Sequence, residues 1–184
     1  MPIVVKAGAD FIPAPEGSHS AVLVDVVDLG TVPSTHNGRT ESKHMARLVW
    51  QIGENMPDNG RRFTVSRLYN QSLHKKATLR RDLESMRGRA FTDSELRGFD
   101  LELLIGLPCL LNVVHVTRDG TTYSNVSSVM QLPKGMTRLQ PRDYVRVKDR
   151  QEQNSAFRNS VLEKKNEEPK EAPPDGVSDD DVPL

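Results

Sequence analysis

Two stretches, 43-KHMARLVWQI-52 and 61-RRFTVSRLY-69, set cations and rings at alternate positions. Alternate side chains of a strand share a face. Lys43 and Arg47 then fall on one side of the first stretch, and Arg61, Phe63, Arg67 and Tyr69 on one side of the second. Ammonium and guanidinium groups neutralise phosphates, and a ring gives an unpaired base a face to stack on, about 1 to 3 kcal/mol per base. Such a face would capture a single-stranded nucleic acid. Tyr69, beside Asn70 at a strand end, and Tyr123, just past a tight turn, are the better stacking candidates. Phe63 beside Val65 stands evenly between stacking and core, while Trp50 shares its face with Ala46, Leu48 and Ile52, which favours the core. A further group of cations, Lys75, Lys76, Arg80, Arg81, Arg87 and Arg89, exceeds the nearby anions Asp82 and Glu84. Of these, Lys75, Lys76, Arg80 and Arg81 join the candidate phosphate contacts, with helical salt links accounting for part of the cluster.

Catalytic patterns are missing by comparison. The sequence has no phosphate-cradling glycine loop, no GxSxG elbow and no HExxH. Asp25 and Asp28 are three apart, which a period of two puts on opposite faces of a strand. The five histidines are scattered, with no pair at the short spacing of zinc ligands. No catalytic residue, metal or cofactor is therefore expected, although a nuclease whose carboxylates converge only in space stays open as an alternative. Helix-turn-helix, zinc-finger and basic-zipper patterns are also missing, so duplex recognition is less supported than single-strand binding.

At 184 residues the chain has room for one ordinary domain and a tail. Its formal charge of zero averages two unlike parts: residues 1–150 hold 21 Lys+Arg against 16 Asp+Glu, and residues 151–184 hold 4 against 9. A body of +5 suits a polyanion, and a tail of −5 can shield that same surface. Shortening the chain at residue 150 should then tighten binding at low salt, and equal affinities there would contradict this. A lone cysteine, Cys109, leaves no intrachain disulfide, and no run of about 18 apolar residues is present. A cytoplasmic location without membrane contact is the expectation.

A β-branched run, 20-SAVLVDVVDLG-30, predicts a strand, and 31-TVPSTHNGRTES-42 a loop by its Pro33, Asn37 and Gly38. Residues 43–52 and 61–69 give the second and third strands, with 55-NMPDNG-60 as a turn. From Ser72 to Arg87 the period becomes helical, with Gly88 as a stop. Thr92 and Glu95 form a capping-box signature, and residues 100–106 add a further turn or two. Strands return at 109–117 and 121–132 around Asp119-Gly120. Mainly β, with a helical insertion between strands three and four, is the order of the OB-fold, a five-stranded Greek-key barrel that binds oligonucleotides. The domain is expected over residues 1–132. Residues 133–150 read as a basic arm against the barrel anchored by Tyr144, Val145 and Val147, and residues 151–184, poor in large apolar side chains, as a disordered linker and tip.

The chain ends in DDDVPL. A barrel of this order, a polar linker with prolines and an acidic apolar tip together resemble bacterial single-stranded DNA-binding proteins, whose chains end in Asp-Asp-Asp-Ile-Pro-Phe. Asp179, Asp180, Asp181 and Pro183 match, Val182 replaces Ile and Leu184 replaces Phe. The large helical insertion makes the chain look closer to the divergent members of phages and mobile elements. The resemblance implies a non-enzymatic protein that coats and protects replication, recombination and repair intermediates and recruits partner enzymes of those processes through the tip. Nothing in the sequence separates DNA from RNA, and barrels of this type also assemble as homo-oligomers. The other reading of the same features is an OB-fold adaptor that contacts proteins only.

Overall fold

The computed structural model describes residues 11–36 and 39–155. Strand β1 runs Gly17–His36, β2 Arg39–Asn55, β3 Arg62–Asn70, β4 Pro108–Arg118 and β5 Thr121–Gln131. All pairings are antiparallel, in the order β3-β2-β1-β4-β5. The two edge strands of that order approach one another, where Arg67 Nη1 on β3 donates to the Ser127 carbonyl on β5 at 3.1 Å.

The expected loop at 31–42 is instead a two-stranded ribbon over its described residues, 31–36 and 39–42. The β1–β2 ladder continues through Thr31↔His44, Val32↔Lys43 and Pro33↔Ser42 to His36↔Arg39. Thr31, Val32 and Thr40 favour extended backbone, and Pro33 is tolerated where no strand lies on its other side. Asn37 and Gly38 of the expected loop lie outside the described residues.

Between β3 and β4 lie α1 (Thr78–Arg87), α2 (Asp93–Arg97) and a 3₁₀ turn at Leu101–Leu104. Helix α1 starts six residues later than the periodicity predicts, because residues 74–77 form a hydrogen-bonded turn in which the Ala77 amide donates to the His74 carbonyl at 2.8 Å. Gly88 closes it with φ +69°. The capping box opens α2 as expected, with the Glu95 amide on Thr92 Oγ1 at 3.3 Å and the Thr92 amide on Glu95 Oε2 at 2.9 Å. Asp119 and Gly120, both at positive φ, make the tight β4–β5 turn.

The main core joins Leu23, Leu48, Trp50 and Ile52 of β1 and β2 to Leu111 and Val113 of β4, with Leu79, Leu83 and Met86 of α1 closing one side. A smaller cluster lies on the opposite face of β1 and β2: Val22, Val24 and Val49, covered by Leu139 and Tyr144. Residues 133–147 thus pack as part of the same unit, which extends to Val147. The irregularity between Leu23 and Asp25 turns Asp25 to this side, opposite Val49. Its buried carboxylate accepts from Tyr144 Oη at 3.1 Å, Arg146 Nε at 3.0 Å and the Val147 amide at 2.8 Å. Gln51 pairs with the Arg142 backbone in both directions, Nε2 to O at 2.6 Å and N to Oε1 at 2.9 Å. Of the three expected anchors Tyr144 is packed, Val147 is held by its backbone, and Val145 is exposed; Leu139 and Arg146 do the remaining anchoring.

Lys148–Leu184 is a second unit, of which residues 148–155 are described and are helical. That corrects the disordered reading for residues 151–155; the remainder of the linker and Asp179, Asp180, Asp181, Val182, Pro183 and Leu184 lie outside the described residues. Among the described residues no helix is long and apolar enough to cross a membrane.

Candidate nucleic-acid interface

Register decides which residues share the face of β2 and β3. Arg47 pairs with Leu68, and Leu48 pairs with Arg67. The odd side of β2 is therefore continuous with the even side of β3, not with its odd side. The odd side of β3 points into the core: Phe63, Val65 and Tyr69 are buried. The expected β3 face of Phe63, Arg67 and Tyr69 is thus turned toward the core, Arg61 lies before the strand, and Arg47 of β2 continues the opposite face. Trp50 has no exposed surface at all, so Trp50, Phe63 and Tyr69 are core side chains rather than stacking platforms.

Tyr69 and Arg67 instead belong to a buried polar junction between β3 and α1. Asp82 of α1, itself buried, accepts from Tyr69 Oη at 3.0 Å and lies 3.1 Å from Arg67 Nη1. Arg81 Nε reaches its other oxygen at 3.2 Å. The Arg67 guanidinium also lies 5.4 Å from the centre of the Tyr69 ring. Burial and the adjacent Asp82 carboxylate push the Tyr69 phenol pKa up, so it stays a donor to Asp82.

The cations around the helices divide in the same way. Arg80 donates to Glu84 at 2.9 Å and to the Leu73 carbonyl at 3.3 Å. Arg87 bonds Glu95 and stacks over the rings of Phe91 and Phe99, at 4.5 and 4.9 Å from their centroids, and Arg89 reaches Glu95 at 2.9 Å. These three arginines tie the helical insertion together. The Thr92 amide and the Arg89 and Arg87 guanidiniums hold the Glu95 carboxyl down at about 2. Lys75 and Lys76 are exposed without an ion pair among the described residues, and Arg81 keeps most of its surface in solvent. Lys43 is half-buried on the ribbon, 3.9 Å from Glu41, and Arg61 is exposed in the turn before β3.

A surface groove nevertheless follows β3. One concavity is lined by Arg47, Ser66, Arg67, Leu68, Asn125 and Val126. It shares Ser66 and Asn125 with a second, which contains Phe11, Thr64 and Tyr123, and shares Arg67 and Leu68 with a third, which contains Asn70, His74 and Lys76. The three are thus continuous from Thr64 to Asn70, roughly 20 Å of extended backbone. Rings stand at one end, Arg47 and Leu68 in the middle, and Lys76 and His74 at the other. Leu68 is 54% exposed and Tyr123 46%, both unusually open for their size.

Of the sequence candidates, Arg47, Arg67, Lys76 and Tyr123 line this groove, Phe63 and Tyr69 border it as buried side chains, and Lys43, Trp50, Arg61, Lys75, Arg80 and Arg81 do not line it. Sequence reasoning missed Phe11, Leu68, His74 and Asn125. Leu68 and Asn125 carry a readable signal only once the register is known, because each lies on the strand face opposite to a core residue. Among the described residues no group of three or more His, Cys, Asp or Glu side chains is placed to hold a metal ion. Neither a protein-family model nor a curated protein matches this chain.

Proposed function

We propose that this chain is a sequence-tolerant, non-enzymatic single-stranded DNA-binding protein built on an OB-fold. The strand order β3-β2-β1-β4-β5, with the helical insertion after β3 and the Arg67–Ser127 contact between the edge strands, supports the barrel reading. The observation that carries the function is the groove along β3. It is long, open and lined by Arg47, Lys76, Leu68 and Tyr123, which offer phosphate neutralisation and apolar faces without a deep pocket for one particular base. Its polarity and shape suit a flexible strand whose bases are turned outward more than a rigid duplex.

On this reading the groove replaces the odd face of β3 that the sequence suggested, and the core rings anchor β3 to the interior and, through Tyr69, to α1. The tip Asp179–Leu184 recruits replication and recombination proteins, its aspartates steering toward a basic rim while Leu184 fills an apolar pocket. Competition separates this reading from a protein-only adaptor. A labelled oligo-dT held by the protein should be displaced by unlabelled single strands and not by duplex of equal length; failure of the oligonucleotide to bind at all would favour the adaptor.

A further inference from the structure

Phe11 and Tyr123 are both largely exposed, at 64% and 46%, yet their ring centroids are only 6.2 Å apart, with planes inclined at 41°. Two adjacent rings that open to solvent on a groove wall are not explained by core packing. Nor is Phe11 placed by a loose end. Three residues on, the Ala14 carbonyl meets His115 Nε2 at 2.7 Å and accepts from Ser124 Oγ at 2.9 Å, and Ala14 itself is buried. Glu16 accepts from the His115 amide at 2.6 Å, and His19 Nε2 lies 2.9 Å from the Pro15 carbonyl oxygen. Residues 11–16 therefore form a strap fixed to β1, β4 and β5. Pro13 has its own φ locked and biases Ile12, the residue before it, to extended backbone.

We propose that Phe11 and Tyr123 form a slot that takes one unpaired base of a single strand between their rings. A stacked base needs about 3.5 Å of van der Waals contact on each face, so the ring planes must stand about 7 Å apart and parallel. The two rings now touch one another, with centroids 6.2 Å apart and planes inclined at 41°, so admitting a base requires them to part and rotate, which exposed side chains do readily. The slot opens onto the groove through Asn125, which lines the concavities on both sides of Tyr123 as well as the one that holds Arg47. Because every base has an aromatic face, the slot adds affinity for bases without selecting among them. Phe11 is thus a binding residue of the β3 groove, contributed from before the first strand.

This inference rests on the single-strand reading, and the test separates the two. Binding is measured by anisotropy for labelled oligo-dT and for an abasic strand of equal length, with the wild-type chain, F11A/Y123A and R47A/K76A. Equal melting temperatures check that the exposed substitutions leave the fold intact. The slot predicts that F11A/Y123A loses about 5- to 150-fold in affinity for oligo-dT while keeping its affinity for the abasic strand. R47A/K76A should instead weaken both strands in the same proportion. If F11A/Y123A binds oligo-dT as the wild type does, the slot is wrong and the single-strand reading stands. If the wild type binds neither strand, both fail.

Discussion

The Arg67 guanidinium lies 3.1 Å from the carboxylate of Asp82, a side chain almost without solvent contact midway along α1. This ion pair fixes the helical insertion to β3 at the place where the groove passes. Removing the carboxylate leaves the buried Tyr69 phenol without its acceptor and the largely buried Arg67 guanidinium without its counter-ion. Asp82→Ala should cost about 3 kcal/mol, the lower end for breaking a buried pair because Arg67 keeps some solvent. For a domain of this size that corresponds to a fall in Tm of roughly 6 to 12 °C. A calorimetric scan within 2 °C of wild type would show that the junction is not what holds α1.

Trp50 is the sole tryptophan and is fully buried. Its emission should be blue-shifted and resistant to acrylamide. Saturating the protein with oligo-dT should leave that emission nearly unchanged, in contrast to the strong quenching expected of a stacked indole. Large quenching by the oligonucleotide would return Trp50 to the interface.

Glu95 offers a pH test. Its carboxyl is held at about 2 in the folded chain against an ordinary value of 4.5. A depressed folded value means that the unfolded chain takes up the proton first, so the carboxylate's contribution is present above pH 4.5 and is lost as pH falls toward 2. Glu95→Gln should be less stable than wild type at pH 7, and the gap should close progressively between pH 4.5 and 2. Parallel stability curves through that window would contradict the assignment.

The segment 133–147 should prove part of the folded unit. A chain ending at Leu132 uncovers Val22, Val24 and Val49 and leaves the buried Asp25 carboxylate without Tyr144, Arg146 and Val147. A chain ending at residue 155 keeps all of these contacts. The shorter chain should melt lower and associate in size-exclusion chromatography, whereas equal behaviour of the two would make the segment dispensable.

Much of the architecture was legible because it depends on local periodicity. The alternation Ala46, Leu48, Trp50, Ile52 marks the core side of β2, and the 3.6 period of Leu79, Leu83 and Met86 marks the core side of α1. Thr92 and Glu95 mark the start of α2 to the residue. The site was less legible, since it depends on register. Parity along one strand says which residues share a face, but only the Arg47↔Leu68 pairing says which face of β3 continues that of β2. Arg67 and Tyr69 look like a binding pair in sequence and are committed to Asp82 in space, a partner 13 residues from Tyr69 on a different element. Phe11 is unreadable for a similar reason, because its position comes from the bonds that His115 and Ser124 make to Ala14, about 100 residues away in sequence.

A single strand lying in the groove along β3 should meet Arg47 and Lys76. The most direct measurement is the salt dependence of oligo-dT binding by wild type and by R47A/K76A. Wild type should bind single strands with log affinity falling linearly in log salt, at about 0.7 per phosphate neutralised, and R47A/K76A should reduce that slope by about 1.4. Absence of binding at low salt, or a slope unaltered by removing both cations, would contradict the account.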